Sequence, residues 1–264
     1  MSIDLPQLIQ GDCLEQMAKL PSESVDMVCT DLPFGTTSNV WDSIIPMDLL
    51  WAEWKRICKP GAPIVLFTQQ PFTTTVAASN LKQLKTEWIW EKAQGTGFLN
   101  CHIYPLKNHE NILVFCDKTP PYHPQKEFGF STYTTGAGRS SSNYRKFTEE
   151  TVTVNTDGSR YPKTVLKFNS EKGHHPTQKP VPLLEYLIKT YSNEGDTVLD
   201  CTMGSGSTMV ACVNTSRIGI GIEKDPTYFA TAQTRVSGAL ESNQTLFNLN
   251  IIQAPIEQPK ATAA

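Results

Sequence analysis
The stretch DTVLDCTMGSGSTMVACVNTSRIGIGIEKD, residues 196–225, constrains the fold more than any other part of the chain. An apolar run at 197–201 leads into a glycine turn, then a helical pattern at 207–215, then a second apolar run at 217–223. Strand, turn, helix and strand within about 30 residues make one βαβ unit, and such a unit calls for a parallel sheet. The rest of the chain keeps this rhythm. Strands are expected at 7–12, 24–30, 63–68, 86–90 and 111–116, and helices at 13–20, 47–58 and 182–192. In 47–58 the apolar residues at 47, 50, 51, 54, 57 and 58 fall on one helical face. PIVLFT at 63–68 is apolar almost throughout, as a strand covered on both faces would be. The expected fold class is α/β, a doubly wound and mostly parallel sheet.

The glycine turn points to a ligand. Gly204 and Gly206 let the backbone pass close to one. The helix behind them offers free N–H groups and the positive end of its dipole, and Ser207 and Thr208 add hydroxyl donors. Glu223 follows Gly204 by 19 residues and ends the next strand, where an acid takes the two hydroxyls of a ribose. A dinucleotide site wants a third glycine three residues after Gly206, and Met209 stands there. The pattern D-x-x-x-G-x-G, from Asp200 to Gly206, fits S-adenosylmethionine instead.

A second loop has the same placement. The run SVDMVC ends in TDLPFGTT, residues 30–37, where Pro33 and Gly35 force a turn. Asp31 and Phe34 admit two readings: a capping acid with a core ring, or an acid and a ring that face a ligand. Ligands of doubly wound sheets lie outside the C-terminal strand ends, near the switch in strand order. Asp31, Asp200 and Asp12, which follows the strand 7–12, all belong to that edge.

The 264 residues suffice for one large α/β domain or two small ones. With 39% apolar and 19% charged residues the chain reads as globular. No apolar run approaches the ~20 residues of a membrane span, and MSIDLPQLIQ lacks the basic flank and cleavage site of a signal peptide. Seven cysteines without C-x-x-C point to a reducing cytoplasm and no disulfide framework. Five histidines, adjacent only at His174 and His175, lead to the expectation of no metal site. The net charge of −3 gives no global attraction to nucleic acid, so a DNA contact must come from a local patch. Residues 118–173 break the strand–helix rhythm. They are rich in Ser, Thr, Gly and Tyr, and carry nine Lys and Arg against five Asp and Glu. They read either as a solvated insertion or as a basic module with aromatics, suited to a nucleic-acid backbone.

Taken together, DLPFG (31–35), LKNHENILVF (106–115), HPTQKP (175–180), DCTMGSGST (200–208) and IEKD (222–225) carry a resemblance to the amino-group DNA methyltransferases. These methylate N6 of adenine or N4 of cytosine. The order of the motifs is similar to that of the circularly permuted group, class beta, and the resemblance covers about residues 7–117 and 174–235. Leu32 stands in place of that family's first loop proline and Phe34 in place of its tyrosine; Phe keeps a stacking face and loses the hydroxyl.

The resemblance implies a Rossmann-like methyltransferase sheet with a small inserted target-recognition region. Residues 1–117 would form the catalytic half, 118–173 the insertion, and 174–264 the cofactor half of the same domain. It implies catalytic roles for Asp31, Pro33 and Phe34. The Asp31 carboxylate and Pro33 carbonyl would accept from the target amine, and Phe34 would stack on a flipped base. No covalent nucleophile is needed, and no cysteine follows a proline, as carbon-5 methylation of cytosine would require. Asp12, with neighbouring Cys13, would meet the adenine of S-adenosylmethionine and Glu223 its ribose. Asp31, Thr177, Lys179, Asp200, Gly204, Gly206, Ser207 and Thr208 would border the rest. Thr177 reads equally well as the N-cap of the 182–192 helix, Lys179 as a surface lysine, and Trp88 and Trp90 as core or lid. Arg139, Arg145 and Lys146 are candidate DNA contacts. The partners implied are double-stranded DNA, a second copy of the chain and a separate restriction enzyme, with no membrane. Aspartate at the first loop position leans to adenine N6. Cytosine N4 is the alternative, and a non-catalytic DNA-binding module the more distant one.

Overall fold
Strands that are apolar on both faces need cover on both sides, and the computed structural model supplies it. It describes residues 5–35, 43–135, 152–171, 173 and 177–253, with side chains through 245. Arg139, Arg145, Lys146, His174 and His175 lie outside the described residues. The strands are β1 (Gln7–Gln10), β2 (Met27–Asp31), β3 (Ile64–Thr68), β4 (Leu84–Thr96), β5 (Lys107–Phe115), β6 (Tyr133–Thr134), β7 (Val154–Asn155), β8 (Val165–Lys167), β9 (Thr197–Asp200) and β10 (Ile218–Glu223). The α-helices are α1 (Cys13–Met17), α2 (Met47–Ile57), α3 (Phe72–Ser79), α4 (Val181–Tyr191), α5 (Ser207–Asn214) and α6 (Pro226–Gln253).

Eight strands form one sheet in the order β1-β10-β9-β2-β3-β5-β4-β8. All neighbours are parallel except β5, which runs antiparallel to both β3 and β4. From the central pair β9 and β2 the chain leads off in opposite directions, β9 to β10 and β2 to β3. This is the switch point, and Asp31 and Asp200 end the two strands that form it. Alternation along each strand feeds two cores. Met27, Cys29, Val65, Phe67, Ile112, Val114 and Val198 pack with α4, α5 and α6. Val28, Ile64, Leu66, Leu113, Phe115 and Leu199 pack with α1, α2 and α3. Trp88 and Trp90 belong to the first core, at 4% and 2% exposure, so neither is a lid.

Three differences from the sequence reading have physical causes. The helix α3, FTTTVAAS, is rich in β-branched threonine, which hides the helical pattern, although Phe72 and Val76 bury at i, i+4. The helix α6 was not anticipated either, and its start is set by Asp225, whose Oδ1 accepts from the N–H groups of Thr227 and Tyr228. The segment 118–173 is not set apart from the sheet throughout. β8 pairs with β4 and Leu166 joins the first core, while β6 and β7 form a two-stranded ribbon of their own. Among the described residues no helix is long and apolar enough to cross a membrane.

Trp88 Nε1 donates to the Tyr191 hydroxyl at 2.7 Å, tying β4 to α4 inside the core. Tyr191→Phe leaves that buried indole N–H unpaired and should destabilise the protein by about 1–3 kcal/mol. The expected result in urea is a lower midpoint with an unchanged slope.

Candidate active site
A web of hydroxyls and one carboxylate joins the strands of the switch point. Asp200 is 3% exposed. Its Oδ1 accepts from Thr30 Oγ1 of β2 at 2.7 Å and from the Thr202 N–H at 3.1 Å, and its Oδ2 accepts from Thr208 Oγ1 of α5 at 2.6 Å. Burial raises this carboxyl above its ordinary pKa, and the donors oppose the rise. Thr202 Oγ1 donates to the Asp31 carbonyl at 2.9 Å, so the backbone of the loop after β2 hangs from the glycine turn.

The Asp31 side chain opens a row of buried charges. Lys179 Nζ, on the approach to α4, donates to Asp31 Oδ2 at 2.5 Å and lies 3.3 Å from Glu110 Oε2 of β5. Lys92 Nζ of β4 donates to Glu110 Oε1 at 2.5 Å. Lys179 is 6% exposed. Burial pushes the Asp31 carboxyl up to about 6; Lys179 opposes this and Glu110 adds to it. Burial also pushes on Glu110, but Lys179 and Lys92 outweigh it and hold that carboxyl below its ordinary value. For Lys179 burial acts against the charge, and the Asp31 and Glu110 carboxylates outweigh it, so its ammonium is raised. Two oxygens of the row, Asp31 Oδ1 and Glu110 Oε2, are left without a hydrogen bond, and Glu110 Oε2 still has the Lys179 ammonium at 3.3 Å while Asp31 Oδ1 has no such partner. Asp31 Oδ1 is sealed from water and has no hydrogen-bond partner among the described residues.

Around Asp31 the loop alternates. Leu32 is buried in the second core, while Pro33 and Phe34 are half-buried. The Phe34 ring lies 5.3 Å from Phe72 at an interplanar angle of 32°. Of the two readings of this ring, the structure gives a mixture: one side packs on Phe72 and the residue stays partly open.

The acids at the other strand ends are also held. Glu223 Oε2 accepts from the Gly204 N–H at 2.9 Å and Oε1 from the Asp225 N–H at 2.7 Å, and burial raises its carboxyl. Asp12 caps α1 through the Leu14 N–H and meets Lys224 Nζ at 3.2 Å. Gln10 pairs with Glu223 in the sheet, so Asp12 and Glu223 leave neighbouring strands at one edge.

Several of the expected ligand residues also make internal ties. Asp200 and Thr208 satisfy each other, and Ser207 Oγ accepts from Arg235 Nη1 of α6 at 2.9 Å. Gly206 has φ 80°, and a Cβ there would come 2.8 Å from Ala232 Cβ, so its bareness also serves the approach of α6. Gly204 has φ 51° and gives its N–H to Glu223. Cys13 is buried in the second core, with its thiol pushed up to about 11 by burial. Lys179 is no surface lysine, and α4 is capped at Pro180 rather than by Thr177, which is exposed. Sequence reasoning missed Thr30, Thr202, Glu110, Lys92 and Arg235. Only Glu110 carried a signal, as an acid at the head of the apolar run NILVF.

The DNA methylase family, of N6 and N4 methyltransferases, matches residues 25–234. The type II methyltransferase M.HpaI of Haemophilus parainfluenzae is 28% identical over 249 residues, covering 87% of this chain and 74% of its own. The DNA adenine methyltransferase YhdJ of Escherichia coli K12 is 27% identical over 250 residues, covering 88% and 83%. A solved M1.HpyAVI–SAM complex shares the fold, with a TM-score of 0.61 at 24% identity over 88% of this chain and 99% of that one.

Lys179→Met would leave two carboxylates facing each other across a buried gap. At pH 8 the expected loss of stability is about 3–5 kcal/mol. A carboxyl whose folded pKa is raised costs stability above that pKa, and the cost is relieved as pH falls through it. Asp31 stands at about 6 with Lys179 present and rises further without it. Urea unfolding should therefore show a smaller deficit at pH 5.5 than at pH 8.

Proposed function
The chain belongs to the DNA methylase family, and from that premise we propose that it methylates N6 of adenine in double-stranded DNA. The observation that carries this reading is Asp31 Oδ1, an unpartnered acceptor beside an aromatic ring at the switch point. S-adenosylmethionine, the methyl donor of the family, supplies a sulfonium-bound methyl group. The donor set suits it. Asp12 and Glu223 would hold its adenine and ribose, since each carboxylate oxygen keeps a lone pair beyond its present bonds. The N-terminus of α5 suits its carboxylate.

The protein's own part is to make a poor nucleophile competent. An exocyclic amine donates its lone pair into the ring. Accepting both of its N–H bonds returns that pair to nitrogen. Asp31 Oδ1 takes one, and the Pro33 carbonyl takes the other. Lys179 occupies Oδ2, so the geometry of Oδ1 does not drift. Because Oδ1 is sealed from water, an incoming amine reaches it only when the loop that carries Phe34 shifts. Phe34 then stacks on the extruded base and returns roughly 1–3 kcal/mol of the few kcal/mol that extrusion costs. Positioning supplies much of the rate. With its pKa near 6, Asp31 can also hold the proton that the amine sheds.

Aspartate at position 31 and the adenine specificity in the name of YhdJ support N6 over N4. The catalytic strand precedes the glycine-turn strand in the chain, which supports the class beta arrangement. Residues 118–173 serve as the target-recognition region, with Arg139, Arg145 and Lys146 on phosphates. Their described part supports this: Arg160 lies over the Phe130 and Tyr133 rings at 5.2 and 4.7 Å.

Incubation with labelled S-adenosylmethionine and unmodified DNA, then nucleoside mass spectrometry, is the deciding experiment. N6-methyladenine is expected; N4-methylcytosine moves the chain to the family's other chemistry, and no product overturns the function. Asp31→Ala should abolish turnover and keep the Kd for S-adenosylmethionine within about tenfold, or 1.4 kcal/mol. In the wild type, kcat/KM should fall about tenfold per pH unit below pH 6, because protonation of the free protein fills the acceptor. Glu223→Ala should raise the cofactor Kd roughly 10- to 100-fold in calorimetry, since charge-assisted hydrogen bonds at about 1.5–3 kcal/mol each are lost.

A further inference from the structure
The hairpin of β4 and β5 extends well past the sheet it belongs to. Ile89 stands level with Thr68, the last residue of β3, through their common partner Asn111, yet β4 continues to Thr96. The ladder is bulged between Glu91 and Thr96, and β5 carries it from Asn111 to Lys107, on the order of 13 Å beyond the C-terminal edge. That is the edge where Asp31 and Glu223 end their strands. At the tip, Phe98 and Leu99 are 76% and 95% exposed, and Ile103 and Tyr104 are exposed beside them. An apolar cluster standing in solvent marks a binding surface. No Asp or Glu occurs between Lys92 and His109, a span that also holds His102 and Lys107. At the foot of the hairpin lies a groove of about 610 Å³, lined by Lys92, Gly95, Leu106, Asn108, Lys167 and Phe168, with Glu91 as its one acid. Lys167 is 79% exposed and meets Glu91 only at 3.4 Å.

We infer that this hairpin is a DNA-gripping arm: its apolar tip wedges between stacked bases beside the target, and the groove at its foot carries the strand backbone. The inference rests on the reading of the chain as a DNA methyltransferase. Aliphatic and aromatic side chains are the residues that unstack base steps, and a base next to an opened step is easier to extrude. The acid-free flanks match a phosphate surface. They offer no opposite charge to a partner protein of mixed surface. Phe98, Leu99, Ile103 and Tyr104 join neither core among the described residues, and an occupant would account for their exposure. The arm is also wired to the chemistry, because Lys92 at its foot anchors Glu110, and Glu110 faces Lys179.

The test uses the full chain, the doubly substituted Phe98→Ser/Leu99→Ser variant, and Lys107→Ala/Lys167→Ala. All four positions are exposed and outside the charge row. Binding to sheared unmethylated genomic DNA is measured at several salt concentrations, with cofactor binding and thermal melting as controls. The tip variant should raise the DNA Kd at least tenfold at every salt concentration. Its log Kd–log salt line should stay parallel to that of the wild type, because apolar contacts release no counterions. The lysine variant should flatten that line by about one unit per lost phosphate contact. At the methylated site, flanking thymines should react with permanganate in the wild-type complex and not with the tip variant. Wild-type DNA affinity in the tip variant overturns the arm. So does a tip variant that turns a dimer into a monomer in sedimentation while DNA affinity holds, since the tip then belongs to a second copy. A wild type that neither binds nor methylates DNA overturns the arm and the proposed function together.

Discussion
A carboxylate sealed between two strands sets the geometry of everything at the C-terminal edge. A buried ionisable group persists only when its oxygens are satisfied, and Asp200 draws its donors from three different places. Thr30 comes from β2, the Thr202 N–H from the glycine turn and Thr208 from α5. Those three segments cannot shift independently without leaving a buried charge unpaired. Thr202 then passes the constraint on to the Asp31 carbonyl. The register between the loop after β2 and the glycine turn is thereby set by side-chain hydrogen bonds, because the β2–β9 ladder itself pairs only Met27–Val198 and Val28–Leu199.

The second constraint is electrostatic. Asp31, Lys179, Glu110 and Lys92 alternate in sign across β2, the approach to α4, β5 and β4. Each interior member is held by neighbours of opposite charge, which is what makes burial tolerable. The row also breaks the symmetry of the Asp31 carboxylate. One Asp31 oxygen is committed to Lys179 and the other has no partner, so the carboxylate itself presents one acceptor of defined direction.

Legibility followed the range of the interaction. The βαβ unit at 196–225 could be read because its signals are local: a strand, two glycines, a helix and an acid within one stretch of chain. Asp31 and Glu223 could be placed at one edge because a parallel sheet puts all strand ends there. What could not be read were pairings that bridge the chain. Lys179 finds Asp31 across 148 residues, and nothing in HPTQKP says that its lysine turns inward. Arg235 reaches back from α6 to the Ser205 carbonyl and the Ser207 hydroxyl oxygen, a tie that no local pattern announces. The approach of α6 to Gly206 is equally remote in sequence. The hairpin beyond Glu91 escaped because Lys92–Thr96 has no apolar alternation; its pairing with β5 comes from the backbone ladder alone.

The separation between Thr30 and Asp200 has a consequence for how the molecule comes into being. A ribosome adds roughly 5–20 residues per second, and 170 residues lie between these two partners. The loop after β2 therefore waits for something like 10–30 seconds before the strand that orients it has been made. Lys179, the partner of the Asp31 carboxylate, is made shortly before Asp200, and the Thr202 hydroxyl that holds the Asp31 carbonyl shortly after it. The ties that fix Asp31 therefore all come from the last third of the chain.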